Sequence, residues 1–444
     1  MTDHETWSDV LAIISSTKSP VVVVSATAKT TRALVEAAYA AADNRMEQAA
    51  DIADRVQKRH ETIVRSFFSE NGTSDQKELM GDCIHRIEQY TEMLRGYLAD
   101  IADIGSLSLQ SRDAVAGIGE QISSYLLAKC GEAIGLNTRF VDARDIIKTD
   151  STFGSAVPDM EIIRMRSERI SELVQNGQIP VTGGFIGENE RGELTTLGFE
   201  GSDYTASILG NVLDAENITI WTDVSGIYTC DPRIIKNARP IMEISFQQAT
   251  ELAYFGAKVL HPSTLKPAEK KKIPVFVKNL FKPEDTGTRI DEKAKTNGPA
   301  IALSFREKGI EITVTSNGET PGHRFLTEIF SLLDRYHIPV DVVNTTEASV
   351  IIATEEQQKI KELTEQFKKF GTVQAETGKG FITVIGLNPD QSTGTRNRII
   401  GALADTEIDL ISYSRSKKHL TIVVAGESLA ESVKAVHQCL FETE

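Results

Sequence analysis

The period of apolar positions changes three times along the chain. The run PVVVVSA at 20–26 is short, continuous and β-branched, the pattern of a strand buried on both faces of a parallel sheet. From about Thr31 to Lys129 the spacing turns helical, as in Ile84, Ile87, Met93 and Leu94, with a polar break at ENGTSD, 70–75. Strands and glycine loops then dominate: IPVTGGFIG at 179–187, ITIWTDVSGIYT at 218–229 and IPVFVKN at 273–279. Strands alternating with helices predict an α/β sandwich. After Asn297-Gly298-Pro299, which reads as a linker, an internal repeat appears. Ile312 and Ile382, Val314 and Val384, Leu333 and Leu403, and Ile338 and Ile408 are each 70 positions apart. Each copy reads strand, glycine turn, amphipathic helix, strand, strand, which predicts a small βαββαβ unit.

Composition narrows the class. The 444 residues are 40% hydrophobic and 25% charged, the balance of an ordinary soluble globular protein. With 48 Lys and Arg against 63 Asp and Glu, the net charge of −15 argues against nucleic acid as the main partner. Cys83, Cys130, Cys230 and Cys439 form no C-x-x-C pair, so reduced and mostly buried thiols are expected. The start MTDHETWSDVLAIISS lacks a signal-peptide pattern and no long apolar run occurs, so a cytoplasmic protein with no membrane partner is expected.

No P-loop, dinucleotide fingerprint, H-E-x-x-H or G-x-S-x-G is present. The informative residues lie between Val181 and Lys278. Gly183, Gly184, Gly187 and Gly201 are expected at strand ends, where bare backbone N–H groups could face an anion. Gly201-Ser202-Asp203-Tyr204 is expected to open a helix, with Ser202 near its N-cap and positive potential directed at a transferring phosphoryl group. Asp203 could orient groups or a metal there; the plainer alternative makes Ser202 and Asp203 a capping pair.

These segments, VTGGFIG, TTLGFEGSDY, WTDVSGIYTCDPR and FGAKVLHP, resemble the aspartokinases of the amino-acid kinase superfamily. VVVVSATAKTT, SRDAVAGIGEQISS and the terminal repeat extend the resemblance over nearly the whole chain. It implies an α/β fold: an amino-acid-kinase three-layer sandwich over 1–298, then tandem βαββαβ, ferredoxin-like ACT modules at 299–372 and 373–444. It also implies phosphorylation of the L-aspartate side chain by ATP with Mg2+. Residue by residue, the resemblance assigns Ser25, Thr31, Glu120 and Ser202 to aspartate, with Glu120 on the substrate ammonium, and Asp203 to catalysis. It assigns Gly183, Gly184, Thr222, Asp223, Tyr228, Arg233 and Lys258 to ATP, and Phe325, Leu326, Asp341, Thr346 and Glu347 to an amino-acid effector, lysine or threonine. ACT modules imply a homodimer or higher homo-oligomer. Plainer readings make Glu120 a solvated helix charge, Arg233 a loop cation, Lys258 a helix-face lysine, and Ser25 and Thr31 cap residues.

The chain departs from the family pattern in several places. Phe199-Glu200 stands where the family carries Arg in LGRGGSDY, so a guanidinium able to pair bidentately with a substrate carboxylate is missing. Glu319, Gly322 and the segment YSRSKK, 413–418, depart from the usual effector modules. The N-terminal KFGGTS does not appear, and MTDHETWSDVLAIISS aligns with the helix that follows that motif; the expectation is a natural start upstream of Met1. Because the second module runs to Glu444, a single-function kinase is expected. The alternatives are a catalytically inactive amino-acid-binding regulatory protein of the same fold, and a kinase for another small carboxylate.

Overall fold

The valine run forms the strand Val22–Val24, which lies parallel to Ile179–Gly183, with Thr138–Val141 parallel on the far side of that central strand. The computed structural model describes residues 4–68, 73–255, 261–294, 300–356, 359–387, 392–414 and 419–442. Lys258 and the expected linker Asn297-Gly298-Pro299 lie outside these residues. The chain divides into two compact units, Met1–Ser225 with Leu260–Glu292, and Gly226–Val259 with Lys293–Glu444.

In the first unit the period-2 alternation of the strand sorts its side chains into two cores. Val22 and Val24 pack with Trp7, Leu34, Ile52, Ile87, Leu98 and Ile118, most of them from the long helices predicted between 31 and 129. Val21 and Val23 pack on the opposite face with Ile146, Ile163, Ile170, Ile208 and Val212. A sheet between two helical layers is the expected α/β/α arrangement. The helix Ile118–Ala133 is buried along most of its length, including Glu120. Its close approach to the strands requires Gly119, where a Cβ would lie 2.9 Å from that of Ala26. The unit also holds a second parallel pair, Ile218–Thr222 with Val275–Asn279, to which Thr288–Ile290 adds antiparallel, and a short antiparallel pair, Ile186–Glu188 with Leu194–Thr196. The expected strand over 218–229 is shorter than its apolar pattern: it stops at Thr222, and the chain has turned by Gly226, whose φ is 105°.

In the second unit six strands form an antiparallel sheet. Its two central strands, Ala302–Ser316 and Gly371–Ile385, are each 15 residues long and pair along their length, with a register irregularity around Gly309. One half of each strand serves one βαββαβ copy and the other half serves the second. Ile310–Thr315 also pairs with Ser349–Thr354, whereas Lys379–Val384 also pairs with Leu420–Ala425. The position 372/373 thus falls inside a continuous strand. The 70-residue repeat is structural: Ile312 and Val314 sit in one core with Leu333 and Ile338, and Ile382 and Val384 sit in the equivalent core with Leu403, with Ile408 against it. Gly226–Val259 belongs to this unit because Thr229 is stitched into it. Its carbonyl accepts the Leu303 N–H at 2.7 Å, and its hydroxyl lies 3.0 Å from Nε2 of the fully buried His437. Of the cysteines, Cys83, Cys130 and Cys230 are buried, Cys439 is half-buried, and none of the four is in a disulfide. Among the described residues, no helix is long and apolar enough to cross a membrane.

Candidate active site

The C-terminal ends of the parallel strands open into a cleft of about 390 Å³, lined by Ser25, Thr31, Glu120, Phe185, Gly198, Phe199, Glu200, Gly201, Ser202 and Asp203. All five residues expected to bind aspartate or act on it, Ser25, Thr31, Glu120, Ser202 and Asp203, therefore converge from three stretches of the chain, around 25–31, 120 and 202–203. Open α/β sheets bind ligands at this end because loops there can diverge to either face.

Glu120 is the most constrained of these. It is only 3% exposed, and its Oε1 accepts the Ala26 N–H at 3.3 Å and the Thr31 hydroxyl at 3.4 Å. Its Oε2 is buried with no hydrogen-bond partner. Burial pushes its carboxyl up to about 8, against the opposing pull of the Ala26 N–H and the Thr31 hydroxyl. The reading of Glu120 as a solvated helix charge is corrected by this burial. A buried carboxylate oxygen without a donor is costly, and a ligand ammonium would satisfy it.

Asp203 sits in the first turn of the helix Gly201–Val212. The N-cap is Glu200, in the left-handed region at φ 53°, and it makes no side-chain capping bond. Ser202 and Asp203 lie two and three positions past that N-cap, so the capping-pair reading is corrected and both side chains are left for the cleft. Burial raises the Asp203 carboxyl to about 7, with the charge of Glu200 adding to the shift. The first N–H groups of a helix have no intrahelical acceptor, so this turn also presents a positive dipole end to the cleft.

The glycines are steric necessities. A Cβ at Gly184 would fall 2.6 Å from Cα of Ser202, and one at Gly183 would fall 3.1 Å from the Glu120 carbonyl oxygen. Gly187 lies inside the strand Ile186–Glu188, paired with Thr195, and not at a strand end; a Cβ there would meet the Ile147 carbonyl at 2.7 Å.

Thr222 and Asp223 lie at the end of the second parallel pair, where the Thr222 hydroxyl donates to Asp223 at 3.2 Å; neither lines the cleft. The turn after them is tied by Ser225 to Asp285 and by Asn279 to Ser225. Tyr228 and Arg233 belong to the second unit, where the Arg233 guanidinium pairs with Asp231 at 2.6 Å while 85% exposed. Of the effector candidates, Phe325 is fully buried in the first repeat's core, Leu326 packs against that core, and Asp341 pairs with Arg306 at 2.7 Å. Thr346 bonds Ser349 within its turn, and Glu347 is exposed.

The residue pattern missed the scaffold behind the loop of Ser25. His60 is fully buried and pushed down to about 4 by that burial; its Nε2 meets the Thr27 hydroxyl at 2.9 Å. Asp113, also buried, accepts from the N–H groups of Gly154 and Thr196 and from the Thr196 hydroxyl. Phe185 escaped notice as well, although a non-glycine at φ 66° beside Gly184 marks a backbone shaped for the site.

The amino acid kinase family model matches residues 1–279. The lysine-sensitive aspartokinase 3 of Escherichia coli K12 is 33% identical over 367 residues, covering 80% of this chain and 82% of that one. The chain belongs to the aspartokinase family. It is a kinase of that family, with aspartate kinase function and allosteric regulation. The crystal structure of E. coli aspartokinase III with aspartate and ADP, R-state, matches with a TM-score of 0.80 at 30% identity, over 99% of this chain and 97% of that one. The T-state structure of that protein with lysine and aspartate matches with a TM-score of 0.81 at the same identity and coverage.

Proposed function

We propose that this aspartokinase transfers the γ-phosphoryl group of ATP to the side-chain carboxylate of L-aspartate, giving 4-phospho-L-aspartate and ADP. The observation that carries this reading is the buried, unpartnered Oε2 of Glu120 in the same cleft as Asp203. Glu120 takes the substrate ammonium, held in place by Ala26 and Thr31. Ser25 and Ser202 orient the acceptor, and Asp203 stands beside the transferring group at the positive end of its helix. Such a site works by alignment and charge placement and needs no covalent intermediate. The ligands of the matched E. coli structures, aspartate and ADP, support the same assignment.

Thr222, Asp223, Tyr228, Arg233 and Lys258 are proposed for the nucleotide. Among the described residues no group of three metal-ligating side chains occurs, which suits a Mg2+ carried mainly by nucleotide phosphates, with Asp203 as the available carboxylate. That ion would neutralise phosphate charge. We place the reaction at the first step toward lysine, threonine and methionine, in the cytoplasm. Feedback by lysine or threonine would act through the paired modules at Phe325, Leu326, Asp341, Thr346 and Glu347 of a homo-oligomer. The lysine in the T-state relative supports that effector class.

The deciding experiment measures aspartate-dependent ADP release, with the acyl phosphate trapped by hydroxylamine. Turnover inhibited by lysine or threonine is expected. Aspartate binding without ADP release would favour the inactive regulatory reading.

A further inference from the structure

The stretch 25–31 serves the cleft twice. Ser25 and Thr31 line it, and the Ala26 N–H and Thr31 hydroxyl are the donors to Oε1 of Glu120. At 3.3 and 3.4 Å these two bonds are long, so a small displacement of the stretch would lose them. One end is tied at Ser25, whose carbonyl accepts the Ser123 hydroxyl at 2.9 Å. The other end is the start of the helix Thr30–Ala42, which carries Thr31. Its N-cap is Lys29, at φ 65°, and an ammonium has no lone pair with which to cap a helix.

A different helix, Met46–Phe67, holds that start through His60. Nδ1 of His60 lies 2.8 Å from the Val56 carbonyl, which can only accept, so the ring proton sits on Nδ1. Burial keeps the ring neutral, which leaves Nε2 a bare acceptor. The Thr27 hydroxyl, 2.9 Å away, therefore donates to it, and Thr27 Oγ1 accepts from the Thr30 hydroxyl at 2.6 Å. The series from Thr30 through Thr27 and His60 to Val56 thus runs in one direction, and its three side chains are all buried. Such a series is strong when complete and costly when broken. The neighbouring Arg59 guanidinium adds a bond to the Ala28 carbonyl.

We propose that His60 is a positioning residue for aspartate binding: through Thr27 and Thr30 it sets the helix start whose Thr31 hydroxyl, with the Ala26 N–H, aims the Glu120 carboxylate at the substrate ammonium. His60 is fully buried and does not line the cleft, so it acts only through these residues. This rests on the kinase reading above and adds a residue to its substrate site. A side chain that merely filled space could be exchanged for another of similar volume; one that acts through Nε2 must be replaced by an acceptor at the same place.

The test measures steady-state kinetics of the full chain with Mg2+, varying aspartate and ATP in turn. His60→Gln brings an amide oxygen to about the position of Nε2 and should keep the aspartate KM within about threefold. His60→Asn is too short to reach Thr27; it should raise the aspartate KM about tenfold, the worth of one lost buried hydrogen bond, and leave kcat and the ATP KM within about twofold. Thr27→Val removes the donor at similar volume and should give the same rise, whereas Thr27→Ser should not. In a Glu120→Gln background His60→Asn should add less than about twofold, because the carboxylate it aims is gone. Should the His60 variants fail to fold, the two Thr27 variants decide. An aspartate KM unmoved by His60→Asn and Thr27→Val, or raised equally by Gln and Asn in step with the ATP KM, overturns the inference and leaves the kinase reading standing. No aspartate-dependent ADP release from the natural chain removes the kinase reading, and the inference with it.

Discussion

Along the strand half Ile310–Thr315 of the second unit, Ile310, Ile312 and Val314 alternate inward and are buried against Phe325, Ile329, Leu363 and Phe367. Around the cleft of the first unit the local rules are broken instead. Glu120 and Glu200 each bury an oxygen without a partner, and Phe185 and Glu200 hold positive φ. The first pattern stabilises; the second spends stability on a site ready for a ligand. Substitutions in the repeat should therefore cost stability and spare chemistry, and substitutions in the cleft should do the reverse.

The largest stability effect should come from Phe367→Ala, which empties a fully buried aromatic site; a loss of about 3–5 kcal/mol is expected by denaturant titration. Catalysis per folded molecule should hold, and a matching fall in kcat at full folding would break the comparison. Asp203→Ala should lower kcat about 10²- to 10³-fold while the melting temperature and aspartate affinity change little. Wild-type kinetics in that variant would remove Asp203 from the chemistry.

Glu120→Gln joins both sides of the comparison. Losing the ammonium partner should raise the aspartate KM by about 30-fold or more. The same change should stabilise the fold, with a pH dependence whose sign is fixed. Because its carboxyl is raised from 4.5 to about 8 in the folded chain, the folded state holds a proton that the unfolded state releases. Stability from this group is therefore present below about pH 4.5 and lost as pH rises toward 8. The melting temperature of Glu120→Gln should exceed that of the natural chain by a margin that widens over this window; a constant margin would show that Glu120 is not strained. The smallest effect belongs to Arg233→Ala. Its exposed ion pair with Asp231 should be worth less than about 0.5 kcal/mol, so a rise in the ATP KM without a change in melting would separate nucleotide contact from surface packing.

Much of the fold was legible because it rests on periodicity. The valine run, the helical span from 31 to 129 and the 70-residue repeat needed only local spacing. The repeat's strand sharing was not legible: a 15-residue strand split between two copies looks, in one dimension, like the end of one copy and the start of the next. In the cleft, Ser202 and Asp203 were visible as polar residues at a helix start. Local pattern could not tell a cap from a site, because the N-cap role depends on the backbone angles of Glu200. His60 and Asp113 gave no signal, since their importance lies in contacts with Thr27, Gly154 and Thr196 far away along the chain.

The sequence by itself determined which residues alternate, which segments are helical, that the C-terminal third repeats, and, through its motif wording, the family. Those properties follow from the chemistry of neighbours a few positions apart. Only the tertiary structure decided that Glu120 is buried with an open oxygen, that Glu200 and Asp203 line the same cleft, and that the segment from Gly226 packs with the second unit. Desolvation and charge coupling depend on what surrounds a group in space, and residues 25, 120 and 203 become neighbours only when the strands and helices that carry them pack.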